Sequence, residues 1–183
     1  MTRDQIDIEG HTSQTLAQAV HSGLLRRVRQ GVYRLPDILP HGEASFIEAT
    51  AYVPQGIVCL TSALSHYGLT TQLPSAVFLA VPAATNEPKP GDIPLRLVRM
   101  ASRFLLADVR EVRPSIGGRY RIFSPERSVC EAFRFQRLIG EDVAYEALRN
   151  LLGQTFDRDA ILAASELTNT QSHILPVLRT LSS

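Results

Sequence analysis

The sequence predicts an α+β fold, and three observations predict it. A polar helix followed at once by a basic hairpin occupies the first 36 residues. Short apolar runs separated by Gly and Pro fill the middle. Two helical periods that end at Gly140 and Gly153, and two further helices, follow Phe123. At 183 residues, with 44% hydrophobic and 20% charged residues, the chain has a normal globular balance. Its length suits one ordinary domain, or a small unit plus a medium one.

Taken in order, the first helix is predicted from Thr12 to Ser22. Thr12 or Ser13 caps it, Leu16, Ala19 and Val20 form its apolar stripe, and Gly23 stands at the stop. Leu25 to Arg29 and Val32 to Leu35 read as strands joined at Gln30-Gly31, where glycine accepts the positive φ of a tight turn. Residues 36–42 read as a linker. A helix is predicted from Glu43 to Tyr52, a buried strand from Ile57 to Leu60, and a brief helix capped by Thr61 or Ser62 that ends at Gly68.

Val77 to Val81 reads as a strand, residues 82–94 with four prolines as a loop, and Leu95 to Met100 as a strand. Phe104 to Leu106 reads as a further short strand. Val109 to Arg113 and Arg119 to Phe123 read as a hairpin around Gly117-Gly118. Ser124-Pro125-Glu126 combines a cap, a first-turn proline and an acid, so a helix is predicted from there to about Leu138. Helices from Glu141 to Leu152, from Asp157 to about Thr168, and from about Ser172 to Leu181 complete the chain.

The net charge is only +1, so a nucleic-acid reading must rest on local patches. Residues 1–36 carry five Arg against three acids, and residues 89–137 carry eleven Lys/Arg against five. Residues 37–88 hold no base and four acids. The single Lys against eighteen Arg admits two readings, selection for forked donors or a GC-rich genome.

A helix running into a hairpin with basic strands is the second half of a winged helix. In such units the helix enters the major groove and the wing reaches the backbone. Ser13, Gln14, Gln18 and His21 lie away from the apolar stripe, and Gln pairs bidentately with adenine. Arg26, Arg27, Arg29 and Arg34 surround the turn and suit phosphates. The alternative is a solvated helix and an ordinary hairpin. A second basic set, Arg96, Arg99, Arg103, Arg110, Arg113, Arg119 and Arg121, is predicted to place several members on one sheet face, for nucleic acid or an acidic partner, or simply for solvent.

Enzyme signatures are weak. Glu87-Pro88-Lys89 spells a nuclease-like E-x-K but lies between prolines without a partner Asp on a preceding strand. His11, His21, His41, His66 and His173 show no ligand spacing. Ser62 and His66 read as capping and surface residues rather than a nucleophile pair. No Gly-rich phosphate loop follows a strand. Arg127, Glu131 and Arg134 read as ion pairs on a helix face, worth ~0.2–0.5 kcal/mol each. Cys59 and Cys130, in separate apolar runs, read as free buried thiols. No cofactor or metal is expected, the enzyme reading is set aside, and the absence of a leader or bilayer-length apolar run predicts a cytoplasmic protein without a membrane partner.

The run LLRRVRQGVYRLP resembles the end of the N-terminal winged-helix domain of AbiEi-family antitoxins, from type IV toxin–antitoxin pairs. TSALSHYGLTTQLP followed by VFLAVP is similar to the start of that family's antitoxin domain, and IFSPERSVCEAFRFQRLIGEDVAYEALRNLL to its helical portion. The order of the three is the stronger signal. The resemblance implies a shortened winged-helix DNA-binding unit over 1–36 and an antitoxin domain over 37–183 with a small sheet and a C-terminal helical group. It further implies autorepression through inverted repeats in promoter DNA, and counteraction of a nucleotidyltransferase-like toxin. The alternative is a truncated antitoxin-domain protein without sequence-specific DNA binding, acting as a protein-interaction or toxin-neutralising module. Eleven residues precede Thr12, fewer than the roughly 25–30 that two further helices need. Leu16, Val20, Leu24 and Leu25 therefore call for a cover: a longer N-terminus, a homodimer partner, or residues 37–183.

Overall fold

The computed structural model describes residues 13–29, 31–36, 41–88 and 91–180. Helix α1 (Ser13–His21) leads into strands β1 (Arg26–Arg29) and β2 (Val32–Arg34), an antiparallel pair. Gly31 has φ 79°, the left-handed conformation expected of it, whereas Gln30 and the predicted cap Thr12 lie outside the described residues. Most of the predicted linker, residues 37–40, also lies outside them.

Helix α2 (Glu43–Tyr52) precedes β3 (Ile57–Val58), α3 (Leu60–His66), β4 (Val77–Pro82) and β5 (Leu95–Met100). After α4 (Ser102–Leu105) come β6 (Val109–Val112) and β7 (Tyr120–Phe123). The five strands form one mixed sheet in the order β5-β4-β3-β7-β6. β4 runs parallel to β5 and β3 parallel to β7, and the β3–β4 and β6–β7 pairs are antiparallel. The parallel step from β4 to β5 is carried by the proline-rich loop, whose described residues form no helix.

Both sheet faces are covered. Phe46 and Ala49 from α2, and Val53 just past its end, pack with Val58, Leu79 and Ile122 on one face. Phe78, Ala80, Val98, Leu105 and Phe123 form a core on the other. The C-terminal helices are α5 (Pro125–Arg134), α6 (Gln136–Ile139), α7 (Glu141–Leu152), α8 (Arg158–Thr168) and α9 (Gln171–Thr180). They enclose a third core that includes Val129, Phe133, Leu148, Ile161 and Ile174. The fold is thus α+β, with a two-stranded and a five-stranded sheet and a helical C-terminal group. Among the described residues no helix is long and apolar enough to cross a membrane.

The cap signals act as read. Ser124 accepts from the Arg127 N–H at 3.1 Å, with Pro125 in the first turn, and Asp157 accepts from the N–H groups of Asp159 and Ala160. Four expectations need correction. The strand predicted through Leu60 stops at Val58, because Leu60 turns left-handed at φ 47° and opens α3. Phe104 to Leu106 is not a strand: Ser102–Leu105 is one helical turn that delivers Leu105 to the sheet. Three adjacent apolar residues cannot by themselves select between the two periods. The helix predicted to Leu138 breaks at Phe135, where ψ is 24°, and resumes as α6. Ser62 does not cap α3: it is buried and accepts the Phe78 N–H at 3.0 Å, tying α3 to β4.

Candidate nucleic-acid interface

The amphipathic helix α1 buries Leu16 and leaves Gln14, Gln18 and His21 exposed. Spacings of four and three residues place those three side chains on one helical face. Leu24, just beyond α1, is 68% exposed, whereas Val20 and Leu25 are half-buried.

The four hairpin arginines have different surroundings. Arg26 reaches Asp92 at 2.9 Å and remains 53% exposed. Arg29 donates to the Ala51 carbonyl at 3.2 Å and lies 5.8 Å from the centroid of the Tyr52 ring. Arg34 is withdrawn from solvent. It pairs with Asp92 at 2.6 Å and with the buried Glu48 at 3.4 Å, and it donates to the Leu35 and Pro36 carbonyls. Burial pushes the Glu48 carboxyl up, and the Arg34 guanidinium opposes that rise. Arg27 points to solvent and makes no ion pair among the described residues. The hairpin is therefore fastened to α2 and to the loop before β5.

Asp92 and Glu48 escaped sequence reasoning. Asp92 lies 66 residues from Arg26 and 58 from Arg34, in a proline-rich loop with no periodic signal. Only the tertiary fold brings these charges together.

The second basic set is divided. Arg96 and Arg99 sit on β5, at the opposite edge of the sheet from β6. Arg96 lies over the Phe78 ring and Arg99 pairs with Glu87 at 2.7 Å. Arg103 lies over the Phe104 ring. Arg110 turns to the buried Glu126 at 3.6 Å. Arg113, Arg119 and Arg121 do converge, around Glu111, on a cleft of about 720 Å³ beside α2. Arg113 holds the Glu111 carboxyl below its ordinary range.

The residues read as weak enzyme signatures gain no catalytic geometry. Glu87 is exposed and occupied by Arg99, and Lys89 lies outside the described residues. His66 is neither a surface group nor a partner for Ser62. Tyr120 donates to Glu43 at 3.1 Å, and the His66 Nδ1–H then donates to the Tyr120 oxygen at 3.3 Å, since an ionised carboxylate only accepts. Cys59 and Cys130 are free and buried, and burial pushes the Cys130 thiol up to about 12. Both stay protonated and poorly nucleophilic. Among the described residues no cluster of His, Cys, Asp and Glu could hold a metal.

No curated protein matches the chain. A family model described as "Transcriptional regulator, AbiEi antitoxin" matches residues 2–36, which among the described residues hold α1, β1 and β2. That family is one of regulators and is not a known enzyme family. Over residues 2–36 the chain is therefore similar to the AbiEi antitoxin family of transcriptional regulators, by a match that ends before α2 and the five-stranded sheet.

Proposed function

We propose that the protein is the antitoxin of a type IV pair and represses its own promoter, with residues 1–36 as the DNA-reading unit and 37–183 as the antitoxin domain. The observation that carries this reading is that a segment matching a regulator family exposes Gln14, Gln18 and His21 on one helix face while burying Leu16. In the proposed complex α1 lies in the major groove, with Ser13 at its start, and Gln14 and Gln18 meet base edges. Arg26, Arg27 and Arg29 hold phosphates. Arg34, already engaged by two carboxylates, sets the hairpin's angle on the rest of the chain. Inverted repeats in the promoter call for two copies, hence a homodimer on DNA. The paired partner is a nucleotidyltransferase-like toxin, counteracted in the cytoplasm.

A second reading has its own support. Asp92 and Glu48 pair with Arg26 and Arg34, which leaves less free charge on the hairpin than its sequence suggests. A protein-interaction or toxin-neutralising module without sequence-specific DNA binding would tolerate that arrangement.

Fluorescence anisotropy against the protein's own upstream DNA and a scrambled duplex, at two salt concentrations, separates the readings. The regulator binds its own DNA at least about a hundredfold tighter. Arg27→Ala then lowers the salt slope by about one unit, and Gln18→Ala narrows the preference between duplexes. Equal weak binding to both duplexes removes the repressor and leaves the module, whose readout is rescue of cells that express the paired toxin.

A further inference from the structure

The cleft beside α2 holds three of the arginines for which DNA reading has no use. It is walled by the hairpin at Val32, by α2 at Ile47 and Ala51, and by Pro54 beyond α2. Its other side is the β6–β7 hairpin. There the register sets Glu111 opposite Arg121, and two-residue spacing puts Arg113 and Arg119 on that same face. The turn between them closes tightly through Gly117 and Gly118, both at positive φ, 85° and 79°. Arg121 is aimed inward, with its guanidinium 3.5 Å from the Pro54 carbonyl. Glu111 holds Arg113 at 2.8 Å and Arg119 at 4.0 Å. Three guanidinium groups thus face one carboxylate, a formal excess of two positive charges.

Charge and shape select the occupant. A phosphate monoester carries roughly −1.5 to −2 at neutral pH and presents three acceptor oxygens, matching both the excess charge and the forked donors. A backbone phosphodiester carries a single charge. The volume lies in the range of sites for small molecules, and half-buried Val32, Ile47 and Ala51 offer an apolar wall opposite the arginines.

We propose that this cleft binds a mononucleotide, with its terminal phosphate among Arg113, Arg119 and Arg121 and its base against Val32, Ile47 and Pro54. Glu111 keeps the guanidinium groups gathered when the cleft is empty and competes with the ligand for them. The site does not depend on the DNA-binding reading, because none of its arginines belongs to the α1–hairpin unit.

The test is calorimetric titration of the full chain with AMP, adenosine and inorganic phosphate. AMP is expected to bind at least about tenfold tighter than either fragment, because only it joins charge to an apolar body. Arg119→Gln/Arg121→Gln weakens AMP by at least about tenfold. Arg113→Gln/Arg119→Gln, which leaves the Pro54 contact in place, does the same with unchanged melting. Glu111→Gln tightens AMP binding, since it removes the internal competitor, and Arg99→Gln at the far sheet edge changes nothing. AMP binding no tighter than phosphate, or equal loss in Arg99→Gln, overturns the proposal. So does a single-stranded oligothymidylate without terminal phosphate that loses affinity in the arginine variants while AMP fails to bind.

Discussion

The pair Arg127–Glu131 sits at the centre of α5 with neither side chain exposed. Arg127 Nε donates to Glu131 at 2.9 Å, its Nη2 donates to the same carboxylate and to the Phe104 carbonyl, and the guanidinium covers the Phe123 ring. Arg134 adds a cation 3.9 Å from the same carboxylate oxygen. Glu131→Gln leaves Arg127 charged in a place that water does not reach. Breaking one side of a buried pair costs ~3–5 kcal/mol. For a chain of this size each kcal/mol moves the melting temperature by roughly 2–4 °C, so a fall of roughly 6–20 °C is expected. The double variant Arg127→Met/Glu131→Leu should recover most of it. Arg127 Nη1 and Glu131 Oε2 have no hydrogen-bond partner among the described residues, so the native pair is incompletely compensated and an apolar pair replaces it cheaply. Urea and thermal unfolding of the wild type, Arg127→Met, Glu131→Leu and the double variant form a double-mutant cycle. A loss below about 1 kcal/mol for Glu131→Gln, the range of exposed pairs, refutes the reasoning.

Three further outcomes are expected. Burial lowers the His66 pKa below its ordinary 6.5, so the folded state binds this proton less readily than the unfolded chain does. The stability it contributes is present above 6.5 and lost as pH falls through the lower folded value, and His66→Gln should flatten urea midpoints across that window. Ser62→Ala strands the buried Phe78 N–H and should cost ~1–3 kcal/mol in urea unfolding. Asp92→Ala frees Arg26, while Glu48 still holds Arg34, so DNA affinity should rise and its salt slope steepen by about one unit. A lower melting temperature with an unchanged slope would mean that these two arginines only fasten the hairpin.

The sequence was most legible where one residue settles a local question. Gly31 marked the hairpin turn, Ser124-Pro125 marked the start of α5, and Asp157 the start of α8, because caps and turns are decided within four residues. It was least legible where a distant element decides. Arg127, Glu131 and Arg134 have helix-face spacing, but α5 packs against α3, α7 and α8, so the face is buried. Phe104 and Leu105 read as strand until the sheet's second face claims Leu105 for a helical turn.

Charge shows the same limit more sharply. Counting arginines located both basic stretches, but a count does not see where the acids go. Asp92 comes from the loop before β5 to hold two arginines of a hairpin near the N-terminus. The acids nearest the second stretch divide it: Glu87 takes Arg99 on one edge, Glu126 takes Arg110, and Glu111 alone faces three arginines on the other edge. Arg27 is left pointing outward, and in the cleft three arginines share one acid. A positive stretch becomes a site only where the fold withholds its counter-ions, and that follows from strand order, which the sequence of charges does not encode.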